Sequence, residues 1–286
     1  MNDNDLKILK TKSDIEYWIK NEEIEEVQTS RYWNDEKVEK EKLFYSIDLA
    51  DTKAINHIRK SGLEETFNNA VNLSKKKGNK ISGVVLDIAA GVGFTSAIIS
   101  KNENVNKVYC IDISEHRLKK IAPVIFKQYD ANEEKIVRIV GSFYNIKLDD
   151  SSVDLVVMSQ AFHHALEPKK MLSEIYRVLK KSGLIIITGE KIIGYKMYLL
   201  KLLKKIINDL LILLRFKKNL SNQRLFSYQF RDLFPSNETK GDTHYTLSMV
   251  RRLFYDAGFE FKHYPSNSSV QKRQNEYIYI IKKNKK

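Results

Sequence analysis

The sequence predicts an α/β protein built on a doubly wound, seven-stranded sheet, and three features of the chain indicate this. From Gly83 onward, short runs of Val, Ile and Leu alternate with segments of helical pattern, as in proteins with a central parallel sheet. The first run, Val84 to Ile88, leads through a glycine-containing turn into a helix start. Later in the chain, two strand-like runs follow each other without a helix between them, which favours a closing antiparallel hairpin.

Residues 1–80 are polar and largely helical in pattern, and we expect an N-terminal helical cap with a helix over Leu63 to Lys77. The cap contains the aromatic segment SRYWNDE, residues 30–36. Two interpretations of this segment are open. It packs against the sheet, or Tyr32 and Trp33 fold over a ligand.

Residues 81–190 are predicted to form the core, because buried strands that alternate with helices give right-handed crossovers. Strands are expected at 84–88, 107–112, 136–141, 153–159 and 184–188, and helices at 95–101, 114–129 and 169–180. Lys181, Ser182 and Gly183 predict a helix end and a turn before the last of these strands.

Residues 191–241 are predicted to be an inserted helical lid that begins with a long apolar and basic helix over 192–216. Lys201, Lys204, Lys205 and Asn208 form a polar stripe on it. Charges interrupt the helix before the roughly 20 apolar residues that a bilayer span requires. We expect it either to cover the carboxyl edge of the sheet or to make peripheral contact with anionic lipid through residues 192–218.

Residues 242–286 are predicted to complete the core. The pattern indicates a helix over 247–257 and strands at 259–264 and 276–282. The final lysine-rich residues are expected to be a solvated tail.

The formal charge of +13 is unevenly distributed along the chain. Residues 1–51 contain fourteen acidic and eight basic side chains, whereas residues 196–218 contain seven basic side chains and one acidic one. A nucleic-acid-binding face usually spreads basic and aromatic residues over a folded surface, so nucleic acid is not the expected partner.

A single cysteine, Cys110, excludes an intramolecular disulfide and favours the cytoplasm, with peripheral contact at the inner membrane face if the basic helix binds lipid. The oligomeric state does not follow from the sequence.

The turn after the first core strand predicts a nucleotide-like ligand. Gly91 and Gly93 allow close approach of a ligand to the start of a helix, but Ser96 stands where a dinucleotide motif has its third glycine. Asp87 would repel a pyrophosphate and attract an ammonium group. Asp112, which ends the second core strand, has two oxygens for the hydroxyls of a ribose. These features favour S-adenosylmethionine over NAD(P).

Several segments in this order resemble the class I S-adenosylmethionine-dependent methyltransferases that act on small molecules. They are LDIAAGVG, Asp112, GSFYNIKLDDSSVDLVVMS, QAFHHALEP and YRVLKKSGLIII. The resemblance is close over residues 83–190, looser over residues 246–282, and implies a Rossmann-like methyltransferase fold. It implies that the cofactor-binding residues are Asp87, Ala89, Gly91, Gly93, Asp112, Ile113, Ser142, Phe143, Ser159 and Gln160. The family usually has Gly at the position of Ala89 and Asp at the position of Ser142. Alanine at the first position should be tolerated if its φ is negative.

His163 and His164 follow the fourth core strand, at the edge where the methyl group is expected. A histidine there suits proton removal from a hydroxyl acceptor, or it has only a structural role. His164 is our first candidate for this base, with His163 beside it and His244 as a rival. Six scattered histidines and one cysteine show no zinc spacing, and no acid cluster follows the fourth strand, so no metal ion is expected.

The acceptor is narrowed by motifs that the chain lacks. Methyltransferases that act on the amino groups of nucleic-acid bases resemble one another in a Pro-Pro-aromatic motif, which SQAFHH does not contain. Enzymes that methylate carbon 5 of a base need a cysteine nucleophile, and Cys110 lies in the second strand instead. The insertion resembles that of bacterial methyltransferases of surface-polysaccharide and natural-product pathways, so a hydroxyl of a glycan, glycolipid or natural product is expected. A catalytically silent S-adenosylmethionine-binding protein, an RNA methyltransferase and an NAD(P)-dependent oxidoreductase remain alternatives.

Overall fold

The chain forms one central sheet in a computed structural model that describes residues 15–19, 30–214, 225–235, 242–266, 268, 270 and 276–284. The strands are β1 Ile15–Tyr17, β2 Gly83–Ile88, β3 Val105–Asp112, β4 Ile136–Val140, β5 Val153–Ser159, β6 Leu179–Lys191, β7 Phe259–Pro265 and β8 Glu276–Lys283. Their order is β1-β4-β3-β2-β5-β6-β8-β7. The first six are parallel, and β8 pairs antiparallel with both β6 and β7. The predicted α/β sheet and its closing hairpin are confirmed.

Helices cover both faces of the sheet. They are α1 Ser30–Asn34, α2 Glu36–Glu41, α3 Lys53–Lys60, α4 Leu63–Lys76, α5 Phe94–Ser100, α6 Ala122–Gln128, α7 Pro168–Val178, α8 Tyr195–Leu213, α9 Phe230–Leu233 and α10 Leu247–Asp256. One core cluster joins α3 to α6 with residues such as Val85. The other joins α7 and α10 with residues such as Leu86. Successive residues of β2 therefore serve opposite cores, as the pleat of a strand requires.

The strand count is eight in the described residues, not the seven predicted, because β1 adds a strand to the edge beside β4. This short strand lies in a region predicted to be mostly helical. The strand has only three residues, and only the first of them, Ile15, is buried. Such a short run shows no alternation of apolar and polar residues that would predict a strand.

Two local predictions are also corrected. The predicted turn at Lys181–Gly183 lies within β6, where a register shift accommodates extra residues opposite Val153 and Leu155. The predicted helix over 114–129 has a π-helical turn, Arg117–Ile121, before α6. Pro123 explains this turn, since it lacks the N–H that would continue the α-helical ladder.

The predicted long helix is α8, which ends at Leu213. Residues 215–224 and 236–241 of the predicted lid lie outside the described residues. No helix in the part of the chain that the structure describes is long and apolar enough to cross a membrane.

The sheet reverses its direction of winding at β2, which lies between β3 and β5. In open α/β sheets ligands bind beyond the carboxyl ends of the strands at this point. The turn after β2 and the segments after β3 and β5 are therefore brought to one edge.

Candidate active site

The turn between β2 and α5 is held in left-handed backbone conformations. Gly93, which caps α5, has φ +76°, and a Cβ there would lie 2.7 Å from Phe126. Gly91 has φ +58°, but a Cβ there would meet nothing closer than 3.5 Å, at Arg117. Ala89 has φ +51°, so the negative φ under which alanine should be tolerated is not met, and this conformation costs about 1 kcal/mol for a residue with a Cβ. The turn is thus open above Gly91 and closed beneath Gly93.

Asp87 lies beneath this turn and is fully buried. Its Oδ2 accepts hydrogen bonds from the hydroxyls of Thr95 and Ser96, both at 2.6 Å, whereas its Oδ1 has no partner. Burial raises the pKa of Asp87 to about 7, although the two hydroxyls oppose this shift. The sequence left open whether this acid reaches a ligand or bonds to donors of its own turn, and here its hydrogen bonds go to residues that follow the turn. Any effect of Asp87 on a ligand therefore acts through the turn.

Asp112 joins the turn to the end of β3. Its Oδ2 accepts from the Gly91 N–H and its Oδ1 from the Ser114 N–H, both at 2.7 Å. Each carboxylate oxygen has capacity for a second hydrogen bond, and the residue is 8% exposed. Asp112 therefore fixes the shape of the turn and keeps acceptor capacity for a hydroxyl.

The other residues expected to hold the cofactor lie after β4 and β5. Ser142 accepts from the Tyr144 N–H at 3.2 Å, and the Phe143 ring packs edge-on against Tyr144. Ser159 has a buried hydroxyl without a hydrogen-bond partner. Gln160 has φ +52° and its N–H donates to the Thr188 carbonyl at 2.9 Å. Strand order brings all four residues to the carboxyl edge.

The aromatic segment of the cap lies across this edge. The Asn34 side chain donates to the Ile113 carbonyl at 3.1 Å and accepts from the Glu115 N–H at 2.9 Å. The Ser114 hydroxyl donates to the Trp33 carbonyl at 2.7 Å. The Trp33 ring also lies edge-on to His164, with centroids 5.1 Å apart. Trp33 thus bridges the ends of β3 and β5, the placement required if it covers a ligand.

A buried ion pair anchors α2 beside the turn. Glu39 is fully buried and receives two hydrogen bonds from the Arg117 guanidinium, at 2.8 and 3.0 Å. Arg117 and Lys42 also lie over the Trp33 ring, at 4.9 and 4.3 Å. Burial alone would raise the pKa of Glu39, but the two cations outweigh it and lower the pKa.

A polar pair at the edge joins His163 to Glu190. His163 Nδ1 lies 2.9 Å from Glu190 Oε2, and Glu190 Oε1 accepts the N–H groups of Ala161 and Phe162 at 2.8 Å. Gly189, at φ +72°, forms the irregularity in β6 that precedes Glu190. Burial alone would lower the pKa of His163, but the Glu190 carboxylate outweighs it and raises the pKa. Since Nδ1 faces the carboxylate, Nε2 is the basic atom of the neutral ring.

His164 and His244 lie close to this pair. His164 Nδ1 is 2.9 Å from Asp242 Oδ1, but the angle does not make a hydrogen bond. His244 packs against Phe234, and its burial lowers its pKa. The structure brings all three predicted histidines together but gives only His163 a buried carboxylate. It therefore favours His163 over our first candidate, His164.

His163, His164 and Asp242 also meet a geometric requirement for a metal site. Each offers one ligand atom, and the three atoms lie within 4.8 Å of one another. The sequence predicted no such group because Asp242 is about 80 residues from the histidine pair. The Thr243 N–H and hydroxyl donate to the His163 carbonyl, at 2.8 and 2.7 Å, and hold the two segments together.

The carboxyl edge fits the cofactor that the resemblance implies. The space above Gly91 admits a ligand, and Asp112 retains acceptor capacity for ribose hydroxyls. Beneath the turn, Asp87 Oδ1 has no hydrogen-bond partner. A positively charged aminoacyl group above the turn would stabilise the ionised form of this carboxyl group. Gly91, Asp112 and the unpaired Ser159 hydroxyl are the groups best placed to hold S-adenosylmethionine.

Four residues of this edge were not predicted from the sequence: Glu190, Asp242, Glu39 and Arg117. Glu190 had a usable signal, since an acid that ends a buried strand is the same pattern that singled out Asp87. Glu39 and Arg117 are far apart in a polar sequence, where acids and bases are common. Their pairing depends on how the cap folds over β3.

Part of the chain is similar to known methyltransferases in sequence. Residues 86–187 match the family model described as a methyltransferase domain. The demethylmenaquinone methyltransferase of Clavibacter sepedonicus is 31% identical over 103 residues, which are 36% of this chain and 39% of that protein. A ubiquinone/menaquinone biosynthesis C-methyltransferase of Hydrogenovibrio crunogenus is 27% identical over 158 residues, 54% of this chain and 59% of that protein. The chain thus spans less than two thirds of these relatives.

The fold also matches solved structures. Magnesium protoporphyrin IX methyltransferase from Synechocystis PCC 6803, solved with bound SAH, superposes with a TM-score of 0.55 at 17% identity, covering 88% of this chain and 97% of that one. At 17% identity this similarity shows a shared fold and nothing more.

Proposed function

We propose, from the premise that residues 86–187 form a class I S-adenosylmethionine-dependent methyltransferase domain, that this chain methylates a hydroxyl group of an amphipathic, lipid-linked acceptor. The match of residues 86–187 to a methyltransferase-domain model supports the family predicted from the sequence, and with it the cofactor, while the solved structure supports the fold. The acceptor and the residue that activates it are the proposal. The observation that carries it is the His163–Glu190 pair at the carboxyl edge.

His163 is suited to remove the proton of a hydroxyl group. Its side chain is 29% exposed whereas that of Glu190 is 4% exposed, so an acceptor reaches the imidazole and not the carboxylate. Glu190 stabilises the imidazolium that forms when Nε2 takes the proton. General-base catalysis of this kind typically contributes 10²- to 10⁴-fold in rate.

The remaining residues align the reactants and exclude water. Bound S-adenosylmethionine supplies an electrophilic methyl group and leaves as S-adenosylhomocysteine after transfer. Asp112 and the turn at Gly91 hold the cofactor side of the site. Trp33 closes the gap between that side and His164, which limits entry of water to the reacting groups.

A lipid-linked acceptor is supported by the environment of the site. Helix α8 begins shortly after Glu190 and exposes many large apolar side chains, so an acceptor with an apolar part finds a compatible surface next to the base. The glycan or glycolipid hydroxyl expected from the sequence belongs to this class when the glycan is attached to a lipid.

Carbon methylation of a quinol-type ring is the second candidate. It is favoured by the names of the two relatives, which refer to menaquinone and ubiquinone biosynthesis. A ring carbon beside a phenolic hydroxyl also becomes nucleophilic when that hydroxyl loses its proton. The same His163–Glu190 pair serves both reactions, and the bond formed distinguishes them.

The test is a transfer assay with methyl-labelled S-adenosylmethionine and separate acceptors: a lipid-linked sugar, a demethylated quinol and a single-stranded RNA. We expect S-adenosylhomocysteine formation with the lipid-linked sugar, and label in a methyl ether that hydriodic acid releases. Label that resists this treatment, with the quinol as acceptor, would establish the second candidate. Transfer only to RNA, or no transfer to any acceptor, would contradict the proposal.

A further inference from the structure

Helix α8 buries one charged pair and exposes many of its apolar residues. Lys205 and Asp209 are 7% and 0% exposed, and the Lys205 Nζ atom lies 2.6 and 2.8 Å from the two carboxylate oxygens of Asp209. Asp209 also accepts the Phe226 N–H at 2.9 Å. The predicted polar stripe therefore does not lie wholly on the outer side of the helix, because Lys205, one of its lysines, is buried and pairs with Asp209.

The outer side of α8 and its C-cap carries five large aliphatic residues, which we call the leucine face: Leu200, Leu203, Ile207, Leu210 and Leu214. They are 47 to 61% exposed, and their spacing of three and four residues places them on one side of the helix. A contiguous apolar patch of this kind marks an interaction site, whereas single exposed apolar residues do not.

Lysines flank the leucine face. Lys196 and Lys204 are exposed there, whereas the Lys201 Nζ atom lies over the Phe234 ring, 5.9 Å from its centroid. The single acid between residues 195 and 214, Asp209, is the buried partner of Lys205. The outer side of the helix thus combines apolar area with positive charge only. We infer that the leucine face lies on an anionic lipid bilayer, with its apolar side chains at the acyl boundary and the flanking lysines at the phosphates.

A second copy of the chain suits this face less well. Two such helices in contact would bring their unpaired lysines together, with no acid on the outer side to offset them. The exposed apolar arc also extends beyond a coiled-coil seam, since Met197, Leu211 and Leu213 are 41, 38 and 62% exposed. A seam would cover only the narrow stripe of the leucine face.

Docking would bring the candidate active site to the membrane. The Ile193 N–H donates to the Tyr245 carbonyl at 2.9 Å, which ties the start of α8 to the segment that carries His244. Glu190 lies at the end of the strand that leads into this helix. The inference rests on the proposed function for the identity of the acceptor, but binding to lipid can be measured without methyl transfer.

The experiment is flotation of the full chain with vesicles of phosphatidylcholine alone or of equal parts phosphatidylcholine and phosphatidylglycerol. We expect the protein to float with the anionic vesicles and not with the neutral ones. Leu203→Ser with Ile207→Ser should lower partitioning at least roughly tenfold. Lys196→Glu with Lys204→Glu should lower it about fivefold or more for each lysine, and high salt should do the same.

Matched controls come from other exposed sites. Met249 and Tyr255 on α10 are 38 and 71% exposed, and their replacement by Ser should leave flotation unchanged. Lys53→Glu with Lys60→Glu is the charge control on α3. S-adenosylmethionine binding by each variant reports that it has folded.

Three outcomes would overturn the inference: no flotation with anionic vesicles, equal flotation with neutral vesicles, or a stable dimer in solution that Leu203→Ser with Ile207→Ser separates. The last outcome would assign the leucine face to a second copy. Failure of the proposed function would instead appear as absent S-adenosylhomocysteine formation, with flotation unaffected.

Discussion

His163 Nδ1 lies 2.9 Å from Oε2 of Glu190, whose side chain is 4% exposed. A buried carboxylate needs a partner, and here the partner is an imidazole that solvent reaches. Attraction to His163 and hydrogen bonds from the backbone lower the pKa of Glu190, despite burial, which alone would raise it. The two groups therefore titrate as a coupled pair that favours the charged imidazolium.

The first prediction concerns the base. His163→Gln should lower kcat by about 10²-fold or more while S-adenosylmethionine binding is retained, since the residue removes a proton and does not hold the cofactor. His164→Gln should have a much smaller effect. Steady-state kinetics and calorimetric titration measure the two quantities. Equal losses in the two variants would contradict the assignment of His163.

The second prediction concerns the pH profile. Only the neutral imidazole accepts a proton, so kcat should rise with pH through the pKa of His163, which is raised above 6.5. Glu190→Gln removes the charge that raises this pKa, so the acidic limb should move to lower pH while the maximum rate falls. The His164→Gln variant, as a control, should keep the wild-type limb. A limb that does not move in Glu190→Gln would show that another group titrates.

The third prediction concerns cofactor binding and Asp87. The pKa of this buried acid is raised to about 7, and a cationic ligand favours its ionised form, so binding must release a proton at lower pH. The affinity for S-adenosylmethionine should therefore fall below pH 7, by up to about tenfold per pH unit. Asp87→Asn should remove this dependence, and His163→Gln should keep it. A wild-type affinity that is constant between about pH 6 and 8 would show that the ionisation of Asp87 does not affect cofactor binding.

The fourth prediction concerns the cap. Arg117→Met leaves the buried Glu39 with Lys42 as its remaining cation, and the unfolding free energy should fall by about 3 kcal/mol. Glu39→Gln combined with Arg117→Met should recover more than half of this loss. Urea denaturation measures both. Because the pKa of Glu39 is lowered from 4.5, its contribution is present above pH 4.5 and is lost as the pH falls through the lower, folded value. A double variant no more stable than the single one would argue against a coupled pair.

The fifth prediction concerns metal ions. Glu190 already orients His163, and Asp242 lies against His164, so each imidazole has its own carboxylate. We expect methyl transfer to persist after dialysis against EDTA. Loss of transfer that Mn²⁺ or Zn²⁺ restores, and that His164→Gln abolishes, would instead assign His163, His164 and Asp242 as a metal site.

The sequence predicted most of the core because hydrophobic periodicity and turn residues act over short distances. The strands from Gly83 to Ser159 and the hairpin of β7 and β8 follow directly from those patterns. It did not predict β1, whose three residues depend on β4 for pairing. The inward Lys205–Asp209 pair was missed for a related reason, since a helical pattern does not show which side faces the protein.

The candidate site was predicted in part. Sequence order located the turn at Gly91, Asp112 and the histidine pair, since strand ends gather at one edge. The burial of Asp87, the positive φ of Ala89 and the pairing of His163 with Glu190 depend on tertiary packing. No spacing in the sequence specifies them.

The most direct test of the account is a calorimetric titration of the purified chain with S-adenosylmethionine, S-adenosylhomocysteine and NAD. The account predicts that both adenosyl compounds bind at one site per chain, and that Asp112→Asn weakens both by at least roughly tenfold, as expected for loss of a charged hydrogen-bond acceptor. It also predicts no binding of NAD. Binding of NAD alone, or adenosyl binding that Asp112→Asn leaves unchanged, would contradict a methyltransferase site at the carboxyl edge of β2 and β3.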